Sequence, residues 1–153
     1  MLSRALYSTS KLITLFGLAL ALPAQNTFAI VGSVKIVRGN TTIHRGSQII
    51  PAVEGLHLQA SDRITTSAGG VIGIILQDGT RISLGPNTTL DIDRFLYEPA
   101  EGRFGLVLRL IRGAMAYISG RLAQFSPGSV QVETPVGIVG LRGTEFAISL
   151  EGS

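Results

Sequence analysis

The chain of 153 residues contains no cysteine and no tryptophan. Without cysteine there is no disulfide, no thiolate nucleophile and no cysteine-type metal site. Packing and hydrogen bonds must hold the fold alone. Lipid attachment through an N-terminal cysteine is excluded for the same reason. Charged residues are scarce at 15%, beside 45% hydrophobic residues, which rules out global disorder. The formal net charge of +3 is also deceptive. Setting aside Arg4 and Lys11 leaves 11 of the 13 basic residues against 10 acidic ones. That balance is no electrostatic footprint for nucleic acid.

The first 29 residues read as a secretory signal peptide. Arg4 and Lys11 supply a positive start, Leu12 to Leu22 forms a mainly apolar run, and Pro23 breaks it. Thr27 and Ala29 are small residues at the −3 and −1 positions of a cleavage site. The run is short of the roughly 20 apolar residues that a spanning helix needs. The reading is therefore a signal peptide over 1–29 and a single domain over 30–153, periplasmic or secreted and not a lipoprotein. An uncleaved anchor, and cleavage after Ala24, are the rival readings. The membrane enters only through the signal peptide during export.

What the sequence has in quantity is glycine, 19 residues, scattered between short Val/Ile/Leu runs. That pattern suits many short strands and tight turns. Ile30–Val37, Thr41–Arg45, Ile64–Thr66, Val71–Gln77 and Thr80–Leu84 read as strands. Pro51 confines Ile49–Val53 to a sheet edge or loop. Asp78-Gly79 predicts a type I′ hairpin, which needs positive φ at both central residues. Leu90 and Ile92 alternate with Asp91 and Asp93 in a half-buried strand, the two acids pointing outward as solubilising charge. Tyr97–Gly105 reads as a loop, Phe104–Ile111 and Ala114–Ile118 as strands, and Arg121–Phe125 as a short helical turn. Spacing of this kind implies an all-β sandwich or barrel.

Catalytic patterns are missing. His44 and His57 lie apart, with no acid spacing of metal-binding type. There is no Gly-x-Ser-x-Gly elbow, and the glycines at 137–143 lack the lysine and helix of a phosphate loop. Asp62, before Thr65-Thr66, is suited to cap a turn. The most informative stretch runs from Thr134 and Pro135 to Phe146. It reads as a glycine-rich strand with Arg142 and Glu145 on opposite faces unless Gly143 forms a bulge. An arginine there is suited to pin carbonyls or a carboxylate, or to meet a ligand.

Taken together these residues resemble the FecR domain family. The matching pieces are Gly32-Ser-Val-Lys35, Gly55-x-x-Leu58 with Ser61-Asp62-Arg-Ile-Thr65-Thr66, and Leu76-Gln-Asp78-Gly79-Thr-Arg-Ile82. They continue with Leu108–Gly113, Val132-Glu-Thr134-Pro135-Val136, and Gly140-Leu-Arg142-Gly143-Thr144-Glu-Phe146. The resemblance implies a periplasmic all-β domain of jelly-roll type, a sandwich of short antiparallel strands. It implies that the signature residues Asp62, Thr65, Thr66, Asp78, Gly79, Thr134, Pro135, Arg142, Gly143, Thr144 and Phe146 are structural. Its namesakes relay a signal from an outer-membrane siderophore transporter to a cytoplasmic sigma factor. This chain shows no sigma-binding region before its hydrophobic segment and no transporter-binding domain after the core, so that role is not carried over. The chain stops seven residues after Phe146, where relatives commonly continue with another hairpin, so the expectation is either that the domain closes differently or that it is shortened, with an open strand edge that invites a partner strand. The expectation is a non-enzymatic interaction or sensory module with no cofactor, metal or nucleic acid, its partner an unidentified envelope protein or glycan. The alternative is a carbohydrate- or peptidoglycan-binding jelly roll, for which Tyr97 beside Glu98, and Tyr117, are the candidate aromatics.

Overall fold

The computed structural model describes Ala21 and residues 28–143 and 145–151. The helix expected within 1–29, and Thr144, lie outside the described residues. No helix among the described residues is long and apolar enough to cross a membrane.

Twelve strands form one curled sheet. In chain order they are β1 (Ile30–Arg38), β2 (Thr41–Arg45), β3 (Gln48–Pro51), β4 (His57–Gln59), β5 (Arg63–Thr66) and β6 (Val71–Leu76). There follow β7 (Arg81–Leu84), β8 (Thr89–Glu98), β9 (Arg103–Ile118), the short helix α1 (Arg121–Phe125), β10 (Val130–Thr134), β11 (Gly137–Gly140) and β12 (Glu145–Leu150). The sheet makes two layers because β9 serves both. Its first part pairs with β8 and β10, and its last part with β7 and β12. One layer therefore runs β3-β2-β5-β8-β9-β10-β11, the other β4-β1-β6-β7-β9-β12.

Period-two alternation sends one set of side chains inward from each layer. Ile43, Ile64, Leu90, Leu108 and Val132 come from the first, and Ile72, Ile74, Ile82 and Tyr117 from the second, all buried. Each such side chain contributes about 1.5–3 kcal/mol on leaving water. With no disulfide available, this aliphatic layer is the main source of stability.

The all-β expectation holds, with four local differences. Strands β8 and β9 are long, and β10 lies parallel to β9, so the wind differs from a jelly roll of short antiparallel strands alone. Residues 97–105 are not a free loop. Tyr97 and Phe104 are cross-strand partners, and only Pro99–Glu101 forms a 3₁₀ turn between β8 and β9. The two strands read at 104–111 and 114–118 are one, bent at Gly113. The stretch from Thr134 to Phe146 is not one strand. It turns at Pro135-Val136, forms β11, breaks at 141–143 and resumes as β12.

Candidate functional site

Four of the signature residues, Asp62, Thr66, Asp78 and Gly79, lie at three buried polar knots. In the first, Asp62 is fully buried and takes a bidentate pair from Arg45, Nε to Oδ1 at 2.9 Å and Nη2 to Oδ2 at 2.7 Å. The Gln59 N–H donates to the same Oδ2 at 2.9 Å, and Arg45 reaches the His57 carbonyl at 2.8 Å. Donating to the Asp62 carboxylate holds the Arg45 guanidinium firmly in its charged form. Asp62 thus fastens the β4–β5 turn to β2, accepting from a residue upstream of it.

The second knot sits at the bend of β9. Thr66 Oγ1 donates to the Gly85 carbonyl at 2.6 Å and accepts from the Thr88 N–H at 2.9 Å. Thr88 Oγ1 accepts from the Ala114 N–H at 3.0 Å. Gly113 has φ +89, and a Cβ there would collide with Thr88. Only glycine permits the strand to pass from one layer to the other here.

The third knot ties the β6–β7 turn to α1. Asp78 is buried; its Oδ1 accepts the Thr80 N–H at 3.0 Å, and its Oδ2 accepts the Thr80 hydroxyl at 2.7 Å. The Leu122 N–H donates to Oδ2 at 3.1 Å, so a residue from a distant hairpin caps α1, whose own N-cap, Gly120, has no side chain to offer. The Gly120 N–H donates to Thr80 Oγ1, and a Cβ on Gly120 would meet the 78–80 backbone at 2.5–2.7 Å or closer. The turn is not type I′. Gly79 has φ +87 but Asp78 is not left-handed, and Gly79 N–H bonds the Leu76 carbonyl while Leu76 N–H bonds that of Thr80. That is a three-residue loop with a glycine bulge, which turns the Asp78 carboxylate inward.

The remaining signature residues lie elsewhere. Thr65 is half-buried in β5. Thr134 Oγ1 bridges the β10–β11 turn, donating to the Gly137 carbonyl at 2.9 Å, while Pro135 at its tip is exposed. The Gly143 carbonyl accepts from Ser119 Oγ at 2.8 Å, and Phe146 stacks on Tyr117 with centroids 4.8 Å apart. Arg142 is exposed and enters none of the ion pairs among the described residues.

Asp91 and Asp93 are not free outward charges. Asp91 is buried under Arg63, which grips it bidentately at 2.6 and 2.8 Å. Asp93 lies at a register shift in β8, 2.6 Å from Arg109, which also donates to Glu133 at 3.1 Å. Burial, with Asp91 and Glu133 close by, raises the Asp93 carboxyl above the ordinary aspartate range despite Arg109. Arg63, Asp91, Arg109 and Glu133 share one rung across β5, β8, β9 and β10, a row of alternating charge with Asp93 beside it as a third acid.

The free surface is at the other margin. All four residues of β11 are exposed, and with Val136 they form an apolar lip: Val136 is 89% exposed, Ile138 67% and Val139 41%. Among the described residues strand β11 pairs only with β10, and β12 only with β9. A cleft of about 620 Å³ lies beside the lip, lined by Ile111, Arg112, Val136 and Leu150 among others. Sequence reasoning assigned this run to a strand, but nothing local in Gly-Ile-Val-Gly tells an edge from a centre. No group of three or more His, Asp or Glu placed to hold a metal ion occurs among the described residues.

No curated protein matches the chain, and no solved structure does. The family model described as FecR protein matches residues 62–153, well over half of the sequence. That match begins at Asp62 of the first knot and runs through the second and third to the exposed lip, so the chain belongs to the FecR protein family.

Proposed function

We propose that this protein is an exported, non-enzymatic interaction module of the sensory, signal-transducing kind that the FecR family represents, and that it meets a protein partner of the envelope at the lip formed by β11 and Val136. The observation that carries this reading is the state of β11. Two other sheet edges are blunted: β3 ends at Pro51, and β4 is three residues long. Strand β11 has neither charge nor proline, shows all its residues to solvent, and offers an unpaired edge to which an extended segment can add. The acids speak for a role without catalysis. The carboxylates of Asp62 and Asp78 are filled by structural donors and have no oxygen to spare for proton transfer.

The test is a photo-crosslinking residue at position 138, compared with one at exposed Glu54, in cells that make the full chain. A discrete protein adduct is expected from 138 alone. Excess unlabelled wild-type protein should compete it away, and the Ile138→Lys protein should not, although that variant folds within about 0.5 kcal/mol of wild type because the site is exposed. Identical adducts from both positions would sink the reading. N-terminal sequencing of the released form should begin at Ile30 if export follows the signal-peptide reading.

A further inference from the structure

Beyond residue 29 the chain has only six aromatic residues. Tyr117 and Phe146 stack with each other, Tyr117 within the core. The other four form a single row where the β8–β9 hairpin reaches its tip. Phe95 and Tyr97 have centroids 6.4 Å apart, Tyr97 and Phe104 6.1 Å, and Phe104 and Phe125 5.4 Å. Three strand residues supply the first three rings, and α1 brings the fourth. The Phe104 and Phe125 rings lie within 9° of parallel, and Phe125 is 60% exposed. A ring that served only to seal the hairpin would be buried by it. Here one large apolar face is held rigidly by its neighbour and left open to water, which costs free energy unless something covers it.

The surroundings narrow the chemistry. The row ends beside the Glu98, Glu101 and Arg103 side chains, and exposed Gln124 precedes Phe125. Arg103 is shared between the two carboxylates, at 2.8 Å from Glu98 and 3.5 Å from Glu101. The hydrogen bond between the two acids raises the Glu101 carboxyl. Such a rim offers both donors and acceptors to hydroxyls. Apolar protein surfaces prefer a dry, uncharged margin, with charges depleted at the centre. A pyranose ring has the opposite make-up, with hydroxyls around its equator and slightly positive C–H groups on its face, matching the negative face of an aromatic ring. The regular spacing of four rings suits an extended chain of such units.

We infer that the Phe95–Tyr97–Phe104–Phe125 row is a binding platform for a β-linked glycan chain, which lies along the rings and hydrogen-bonds to the charged rim. The site is separate from the lip. Phe104 lies seven residues along β9 from Ile111, which lines the cleft beside the lip, a span of roughly 23 Å of strand. It stands independently of the protein contact proposed there.

Calorimetric titration of the whole protein with soluble β-1,4-linked tetrasaccharides of glucose and of N-acetylglucosamine tests the inference, with an α-linked glucose tetrasaccharide as control. Saturable binding of a β-linked chain is expected. Phe125→Ala should weaken it at least about tenfold, the scale of one lost aromatic contact, with the unfolding midpoint unchanged. Phe125→Trp should preserve or strengthen it, and Ile138→Lys should leave it intact. Absence of binding to either β-linked chain would overturn the inference. So would equal affinity for the α-linked control, or an undiminished affinity in Phe125→Ala.

Discussion

The three polar knots and the β11 lip use their residues in opposite ways. At the knots, side chains with strong hydrogen-bonding groups are turned inward and saturated: Asp62 by Arg45 and Gln59, Thr66 by Gly85 and Thr88, Asp78 by Thr80 and Leu122. At the lip, plain aliphatic residues are turned outward and touch little. A buried acid is costly unless each lone pair is met, so the knots tolerate few substitutions. An exposed valine is replaceable as far as folding is concerned. The residues that look most chemical in this chain therefore belong to its architecture, and its exposed apolar surface lies apart from them.

Substitutions can break or sharpen that contrast. The largest effect is expected at Gly113. Replacement by alanine adds a Cβ against Thr88 at a left-handed φ, and should cost at least about 3 kcal/mol, read as a fall in the denaturant midpoint. A loss below about 1 kcal/mol would mean that β9 can cross the layers another way. Next comes Arg45→Met, which strands a buried carboxylate and should cost about 3 kcal/mol at neutral pH. Asp78→Asn follows at about 2 kcal/mol, because an amide turns an N–H₂ group towards the donors of Thr80 or Leu122. It should also loosen α1, visible as faster amide exchange at Leu122. The smallest effect is expected on the charge ladder. Folding raises the Asp93 carboxyl, so its contribution to stability is fully present at low pH and declines as pH rises through the folded value. Asp93→Asn should therefore match wild type near about pH 3 and equal or slightly exceed it at neutral pH, by under about 1 kcal/mol. A clear loss at neutral pH would show that the Arg109 pair outweighs burial.

Much of this fold was readable in advance, for a physical reason. Strand faces follow period-two alternation, so the inward set of Ile72, Ile74, Leu76, Ile82 and Leu84 could be named from the sequence. Pro51 correctly marked an edge. What could not be read were features decided by partners far away in the chain. Asp78-Gly79 alone favours the two-residue turn; the need to cap α1, more than 40 positions on, selects the bulged one. Asp91 looks solvated until Arg63 is laid over it from 28 positions upstream. The exposure of Ile138 depends on β11 having, among the described residues, no strand beyond it, which local pattern does not encode. Four aromatics spread over 31 positions likewise become a row only once β8, β9 and α1 meet.

The bend in β9 bears on the order of assembly. A chain lengthening from its N-terminus can pair β2 with β3 and β5, and β6 with β1 and β7, but these remain two part-sheets without a common member. Only when residues 103–118 become available can both be stitched to one backbone. The domain should therefore stay protease-sensitive through most of its synthesis and close late, in a single step, around that strand.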